Sequence, residues 1–162
     1  MKQTSRIPAV LLGLALAAGG STLSAAEHEH AGHKHHDHAP AKLQFDHGRK
    51  WATDQTLRKE METLRSTLAE RIEAIHHGTV SPEEYQSLGR NVETRIGNIV
   101  AQCKLEPKAD AMLHIIIAEL GAAADVMQGK TPGKPAAAAH RVVVTLNSYG
   151  RYFDHPGWQA LK

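Results

Sequence analysis

From about residue 53 onwards, apolar residues recur at steps of three and four positions, with polar and charged residues between them. This spacing places the apolar residues on one face of an α-helix, so the pattern predicts amphipathic helices. Four such segments follow one another, at about 53–76, 81–103, 106–127 and 136–153. A short β-branched run, Val142–Thr145, lies inside the last of them and is overridden by the helical pattern around it.

Each predicted helix presents one apolar stripe, and strong start and stop signals separate the helices. Ser81, Pro82 and Glu84 have the spacing of a capping box with proline at the first helical position, and Gly78 is placed to end the preceding helix. The first stripe consists of Leu57, Met61, Leu64, Leu68, Ile72 and Ile75. The second continues through either Ile99 or Val100 to Cys103, and the fourth consists of Val142, Val143, Leu146, Tyr149 and Phe153.

Four helices of similar length with short connections predict an all-α fold, an up-down-up-down four-helix bundle over residues 51–162. We expect Trp158, beyond the last helix, to fold back onto this bundle. In such a topology the beginning of the first and third helices and the end of the second and fourth meet. One end then collects His47, Trp51, Cys103, His114 and His155, and the other collects His76, His77 and His140.

The first 26 residues have the features of a cleaved secretory signal peptide. Lys2 and Arg6 precede an apolar stretch at 7–18 that is too short to span a bilayer. Ser24-Ala25-Ala26 provides small residues at a signal-peptidase site, which predicts cleavage after Ala26. We therefore expect a periplasmic protein with no membrane span after processing.

Residues 27–50 are expected to form a disordered His-rich arm, with only Leu43 and Phe45 docking on the bundle. Six of the twelve residues at 27–38, here called the His tract, are histidine, and carboxylates lie between them. Imidazole and carboxylate together suit borderline divalent metals such as Zn, Cu, Ni or Co. The predicted metal ligands are His28, Glu29, His30, His33, His35, His36, Asp37 and His38. The alternative is that the tract is incidental solubilising sequence.

Charge and motif content exclude several classes of function. The whole chain has 19 Lys and Arg residues against 17 Asp and Glu residues, and the leader contains two of the basic ones, so the processed chain is nearly neutral. There is no basic stripe, which argues against a nucleic-acid partner. There is no G-x-S-x-G motif and no glycine-rich phosphate loop, so we expect no enzyme. Cys103 is the single cysteine, so no internal disulfide can form.

Two arrangements inside the predicted bundle offer further ligands. Cys103 and His114 lie on or beside apolar stripes and could bind Cu(I) or Zn as a second site. Their alternative role is structural, with Cys103 as a small buried residue and His114 as a hydrogen-bonded one. His76 and His77 fit a helix C-terminus as capping residues, while His140 is a weaker candidate for a ligand shared with His76.

Two resemblances accompany these patterns. The chain resembles periplasmic b-type cytochromes built as four-helix bundles, in which a methionine early in the first helix and a histidine late in the fourth bind haem. Met61 and His155 have similar places, although Pro156-Gly157 follows the histidine directly. The segments KWATDQTLRKEM, CKLEPKADAMLH and YGRYFDHPGWQAL resemble small exported bacterial proteins with a His-rich leader and a helical bundle, a group that implies a fold and a compartment without an activity.

The sequence therefore predicts a metal-binding protein that acts as a buffer or relay in metal homeostasis or resistance. Its expected partners are metal ions and an envelope metal transporter or resistance system. A haem-binding or sensor bundle is one alternative, and a structural module that binds an envelope partner is another. Metal binding through imidazole is expected to weaken below about pH 6, because free histidine side chains protonate near pH 6.5.

Overall fold

A computed structural model describes residues 42–162, and within this range the chain is all-helical. The helices are α1 (Gln55–Ala69), α2 (Ile72–His77), α3 (Pro82–Gln102), α4 (Pro107–Met127) and α5 (Pro135–Tyr152). The all-α prediction is confirmed for this part of the chain. The predicted signal peptide, the His tract and the rest of the predicted arm up to residue 41 lie outside the described residues.

The first predicted helix is divided in two, so the prediction of one continuous helix to His76 is wrong. The chain leaves α-helical geometry at Arg71 (φ −116°, ψ 0°), whose N–H bonds to the Leu68 carbonyl oxygen at 3.0 Å. This i to i−3 bond tightens the last turn of α1. No glycine or proline marks the position, and the apolar spacing from Leu68 to Ile72 and Ile75 runs through it unchanged. The division therefore has no local sequence signal.

The predicted helix signals on either side of the α2–α3 connection are confirmed. Gly78 ends α2 in the left-handed region (φ 65°), and the N–H of Thr79 bonds to the Ala74 carbonyl oxygen at 2.9 Å. At α3, the backbone N–H of Ser81 donates to Glu84 Oε2 at 3.0 Å, and the Glu84 N–H donates to Ser81 Oγ at 3.2 Å. Both bonds of the capping box are therefore present.

The helices pack around one apolar core. α4 lies against both α3 and α5, α1 packs on α3 and also contacts α5, and α2 contacts α5. The predicted apolar stripes supply the core: Leu57, Met61, Leu64 and Leu68 from α1, and Val142, Val143, Leu146 and Tyr149 from α5, are buried. Ile99 is buried while Val100 is 66% exposed, which decides between the two candidates for the α3 stripe.

The folded part begins before the boundary predicted at residue 51. Leu43 packs against the core, as expected, and Phe45 lies 4.7 Å from the ring of Tyr152 between centroids. Asp46 and Arg49 exchange two backbone hydrogen bonds of 2.9 Å around a tight turn. His47 occupies the left-handed region there (φ 48°), followed by Gly48. Residues 42–50 are thus ordered by a turn and by aromatic packing, which helical periodicity does not detect.

Trp158 folds back onto α5, as predicted, and Gly150 makes room for it. The indole lies edge-on to the ring of Tyr149, with centroids 4.9 Å apart. A Cβ atom at Gly150 would overlap the indole, so this helical position admits only glycine while Trp158 stays in place. Within residues 42–162, no helix has the length and apolar character needed to cross a lipid bilayer.

Candidate functional site

One end of the molecule is organised around the backbone of Trp51. Its N–H donates to the Tyr152 carbonyl oxygen at 2.9 Å, and its carbonyl oxygen accepts from the N–H of Asp154 at 2.8 Å. The indole Nε1 donates to the Gln44 carbonyl oxygen at 2.7 Å. The chain entering α1 is therefore fixed to the chain leaving α5, and the segment before Trp51 is attached to the same point.

The side chain of Asp54 joins the start of α1 to the loop between α3 and α4. As the N-cap of α1 it accepts from the N–H of Leu57 at 2.7 Å, and its second oxygen accepts from the N–H of Lys104 at 2.6 Å. The thiol of Cys103 lies beside it and helps to lower its pKa. Burial works to raise the pKa of Asp54, but these hydrogen bonds outweigh it and the net pKa is lowered. Asp54 is thus an ionised structural centre whose oxygens are already engaged.

Cys103 and His114, the predicted second metal site, line one small depression of about 200 Å³. Cys103 is half-buried, and burial together with the charge of Asp54 raises the pKa of its thiol to about 12. The thiol is therefore protonated at neutral pH. Since the thiolate is the form that binds metal, a metal ion would have to displace a firmly held proton.

His114 is exposed and held by its own helix. Its Nδ1 lies 2.9 Å from the Asp110 carbonyl oxygen and 3.4 Å from Asp110 Oδ2. A ring nitrogen that binds a backbone carbonyl in this way orients the imidazole and leaves the other nitrogen facing outward. Cys103 and His114 therefore lie close to each other, as the predicted second site requires. The protonated thiol nevertheless favours the structural role for Cys103.

His155 lies beside the same end, in contact with Tyr149. Its Nδ1 is 3.0 Å from the Tyr149 hydroxyl oxygen, and the tyrosine ring is completely buried. Burial lowers the pKa of His155, and the charge of Glu62 works in the opposite direction. The imidazole borders an open depression of about 470 Å³ whose other lining residues are Gln55, Arg58, Lys59, Glu62 and Pro156.

The geometry gives the haem alternative no support. Met61 is completely buried in the core, whereas His155 faces a surface depression that Met61 does not line. One ring nitrogen of His155 is already engaged with Tyr149.

His47 and Trp51 also belong to this end, as predicted, because both line a depression of about 520 Å³ against α4. Its other walls include Phe45, Lys108 and Met112. The side chain of His47 is exposed, and its Nε2 lies 3.9 Å from Asp46 Oδ1. The five residues predicted to share one end line three separate depressions rather than one.

The other three histidines of the described residues, His76, His77 and His140, lie on α2 and α5, which contact each other. The rings of His76 and His140 have centroids 6.5 Å apart, and both side chains are exposed. The Nε2 atom of His77 lies 3.6 Å from Glu73 Oε2 on the same helix. The adjacent histidines of α2 therefore differ, since one faces α5 and the other pairs within α2.

Glu60, the most deeply buried charged residue among residues 42–162, is absent from the sequence predictions. It is 5% exposed, and its Oε2 accepts from Arg95 Nη1 at 3.0 Å and from Asn98 Nδ2 at 3.2 Å, which joins α1 to α3. A sequence signal exists: Glu60 is three residues after Leu57 and four before Leu64, so it lies on the apolar stripe.

No protein-family model, curated protein or solved structure matches this chain. Among residues 42–162, no group of three or more His, Cys, Asp or Glu side chains is arranged to hold a metal ion. The metal ligands predicted between His28 and His38 lie outside the described residues.

Proposed function

We propose that this protein binds divalent transition-metal ions (Zn, Cu, Ni or Co) through the His tract, in the periplasm, after export and cleavage behind Ala26. One observation carries the proposal: six imidazoles and three carboxylates occur within the twelve residues from Glu27 to His38. Both groups are metal ligands in the protonation states that prevail near neutral pH, and imidazole is the common choice for borderline metals.

The spacing of the histidines favours a labile site over a fixed structural centre. The tract contains the patterns H-x-H and H-x-H-H-x-H, which let two or three imidazoles reach one ion from a flexible backbone. Such a site leaves coordination positions open to water or to another protein. Exchange is then fast, which suits a buffer, or a relay that passes ions to an envelope transporter or resistance system.

In this proposal residues 51–162 form an up-down-up-down four-helix bundle, with α1 and α2 together as its first member. The packing of α4 against α3 and α5, and of α1 against α3 and α5, supports this arrangement. The bundle has its own apolar core and therefore does not depend on a metal ion for folding. Backbone hydrogen bonds of Trp51 to Tyr152 and Asp154 fix the chain entering α1 to the chain leaving α5.

Isothermal titration with ZnCl₂, CuSO₄ and NiCl₂ tests the proposal on the chain that begins at Glu27. The comparison is a variant in which all six histidines of the tract are alanine, and the matched control replaces His47 and His77, two exposed histidines of the folded part. We expect the tract variant to lose at least one bound ion per chain and the control to behave as the parent. Equal stoichiometry and affinity in the parent and the tract variant would remove the arm from the mechanism.

A further inference from the structure

We propose that His76 and His140 form a second metal site, on the folded part of the molecule, which binds one Cu²⁺, Ni²⁺ or Zn²⁺ ion independently of the arm. The two residues are 64 positions apart in sequence and lie on α2 and α5. The fold brings their rings to a centroid separation of 6.5 Å, with planes inclined at 49°. The site goes beyond the proposed function, because it uses none of the ligands of the His tract.

The separation suits two imidazoles on one ion. A coordinated ring nitrogen lies about 2.0–2.1 Å from the metal, which puts the ring centre about 3.2 Å from it. Two rings on one ion then have centres roughly 5 Å apart at a tetrahedral angle and about 6.4 Å apart when they are opposite each other. At 6.5 Å the pair lies just beyond the upper limit of this range, so the rings must approach each other slightly to share an ion. Both side chains are exposed, so a small rotation about their side-chain bonds completes the approach without moving the backbone.

Both rings are available for coordination. Among residues 42–162, neither His76 nor His140 has a side-chain hydrogen bond or an ion-pair partner, whereas His47, His77, His114 and His155 each have one. His76 also lies in the last turn of α2, and the C-terminal end of a helix favours positive charge. The pair therefore differs from every other histidine in the described part of the chain.

Two protein ligands leave several coordination positions to water, so this site is an exchangeable one. Its ion would link α2 to α5 across their contact. Because such an ion binds the folded state and not the unfolded one, saturation must raise the midpoint of thermal unfolding. This gives a second measurement, independent of affinity.

The test uses the whole processed chain with the six tract histidines replaced by alanine, titrated with CuSO₄ and ZnCl₂ at neutral pH. We expect one ion per chain, an affinity at least tenfold weaker in both His76→Ala and His140→Ala, and an unchanged affinity in the matched control His77→Ala. The metal-induced rise in unfolding temperature should vanish in the first two variants and persist in the third. Circular dichroism without metal checks that all three fold, as substitution of exposed side chains predicts.

Three results would overturn the site: no binding in the tract-substituted chain, loss of binding in only one of the two variants, or an equal loss in His77→Ala. The last result would identify single surface imidazoles as the ligands. The test of the His76–His140 site is independent of the test of the His tract. Metal binding by the tract is measured as the difference between the parent chain and the tract variant. The second site is tested by differences among chains that all lack the tract histidines.

Discussion

The carboxylate of Asp54 accepts a 2.6 Å hydrogen bond from the backbone N–H of Lys104, 50 residues further along the chain. The same carboxylate caps α1 through the N–H of Leu57 and lies beside the thiol of Cys103. One side chain thus begins α1 and fixes the connection between α3 and α4 to it. We infer that Asp54 sets the geometry of the end at which the predicted Cys103–His114 pair lies.

Replacing Asp54 therefore tests whether this connection stabilises the fold. Asp54→Ala removes the helix cap and leaves the Lys104 N–H without its acceptor, and we expect the free energy of unfolding to fall by about 2 kcal/mol. Asp54→Ser is the matched control, because serine keeps the cap while losing the second oxygen. Urea unfolding should place Asp54→Ser between the parent and Asp54→Ala. Equal stability of the serine variant and the parent would show that the bond to Lys104 contributes nothing.

The buried Glu60–Arg95 pair predicts a non-additive pair of substitutions. Arg95→Leu leaves the Glu60 carboxylate, which is only 5% exposed, without its cation and with Asn98 as a neutral donor, and should lower the free energy of unfolding by about 3 kcal/mol. Adding Glu60→Leu removes the stranded charge, so the double variant should be more stable than Arg95→Leu alone. Denaturant curves for the single and double variants measure this coupling. Strict additivity of the two substitutions would contradict the ion pair.

His155 predicts a pH dependence of stability. Burial lowers the pKa of this histidine in the folded state below its ordinary value of 6.5, so between these two values the unfolded state binds the proton more readily. Stability must then fall as the pH drops from about 7 towards 5, with a slope of at most about 1.4 kcal/mol per pH unit. His155→Gln should reduce this slope, whereas the exposed control His77→Gln should leave it. If the free energy of unfolding depends on pH in the same way in His155→Gln and in the parent, the result would count against the buried environment of His155.

The contact between Gly150 and Trp158 predicts that a single methyl group disturbs the end of α5. Alanine is a better helix former than glycine, so Gly150→Ala would ordinarily stabilise α5. Here its Cβ overlaps the indole, and we expect a loss of about 1–3 kcal/mol and a changed near-ultraviolet circular dichroism spectrum. In a Trp158→Ala background the same substitution should become neutral or stabilising. A stabilised Gly150→Ala in the parent chain would contradict the placement of Trp158.

The sequence predicts the helices well because their signals are local. The capping box at Ser81 and the left-handed Gly78 depend on neighbouring residues, and the apolar stripes follow from the helical period alone. The division between α1 and α2 was missed because the chain there carries no breaker. It depends on packing between distant helices, since α2 lies against α5 while α1 packs mainly on α3.

The candidate sites are only partly predictable, for a similar reason. Topology places Cys103 and His114 at one end, but the protonated state of the thiol depends on burial and on Asp54, which no spacing reveals. Topology likewise places His76 and His140 together. Only the three-dimensional arrangement shows that His76, and not its neighbour His77, faces α5.

Metal content after dialysis tests the central claim most directly. The tag-free chain beginning at Glu27 is dialysed at pH 7 and at pH 5 against trace zinc and copper, beside the variant with alanine at the six tract histidines, and the retained metal is measured by mass spectrometry. We predict that the parent retains more ions per chain than the variant at pH 7, and that this excess disappears at pH 5 as the imidazoles protonate. A parent chain that retains no more metal than the variant at pH 7 would contradict metal binding by the His tract.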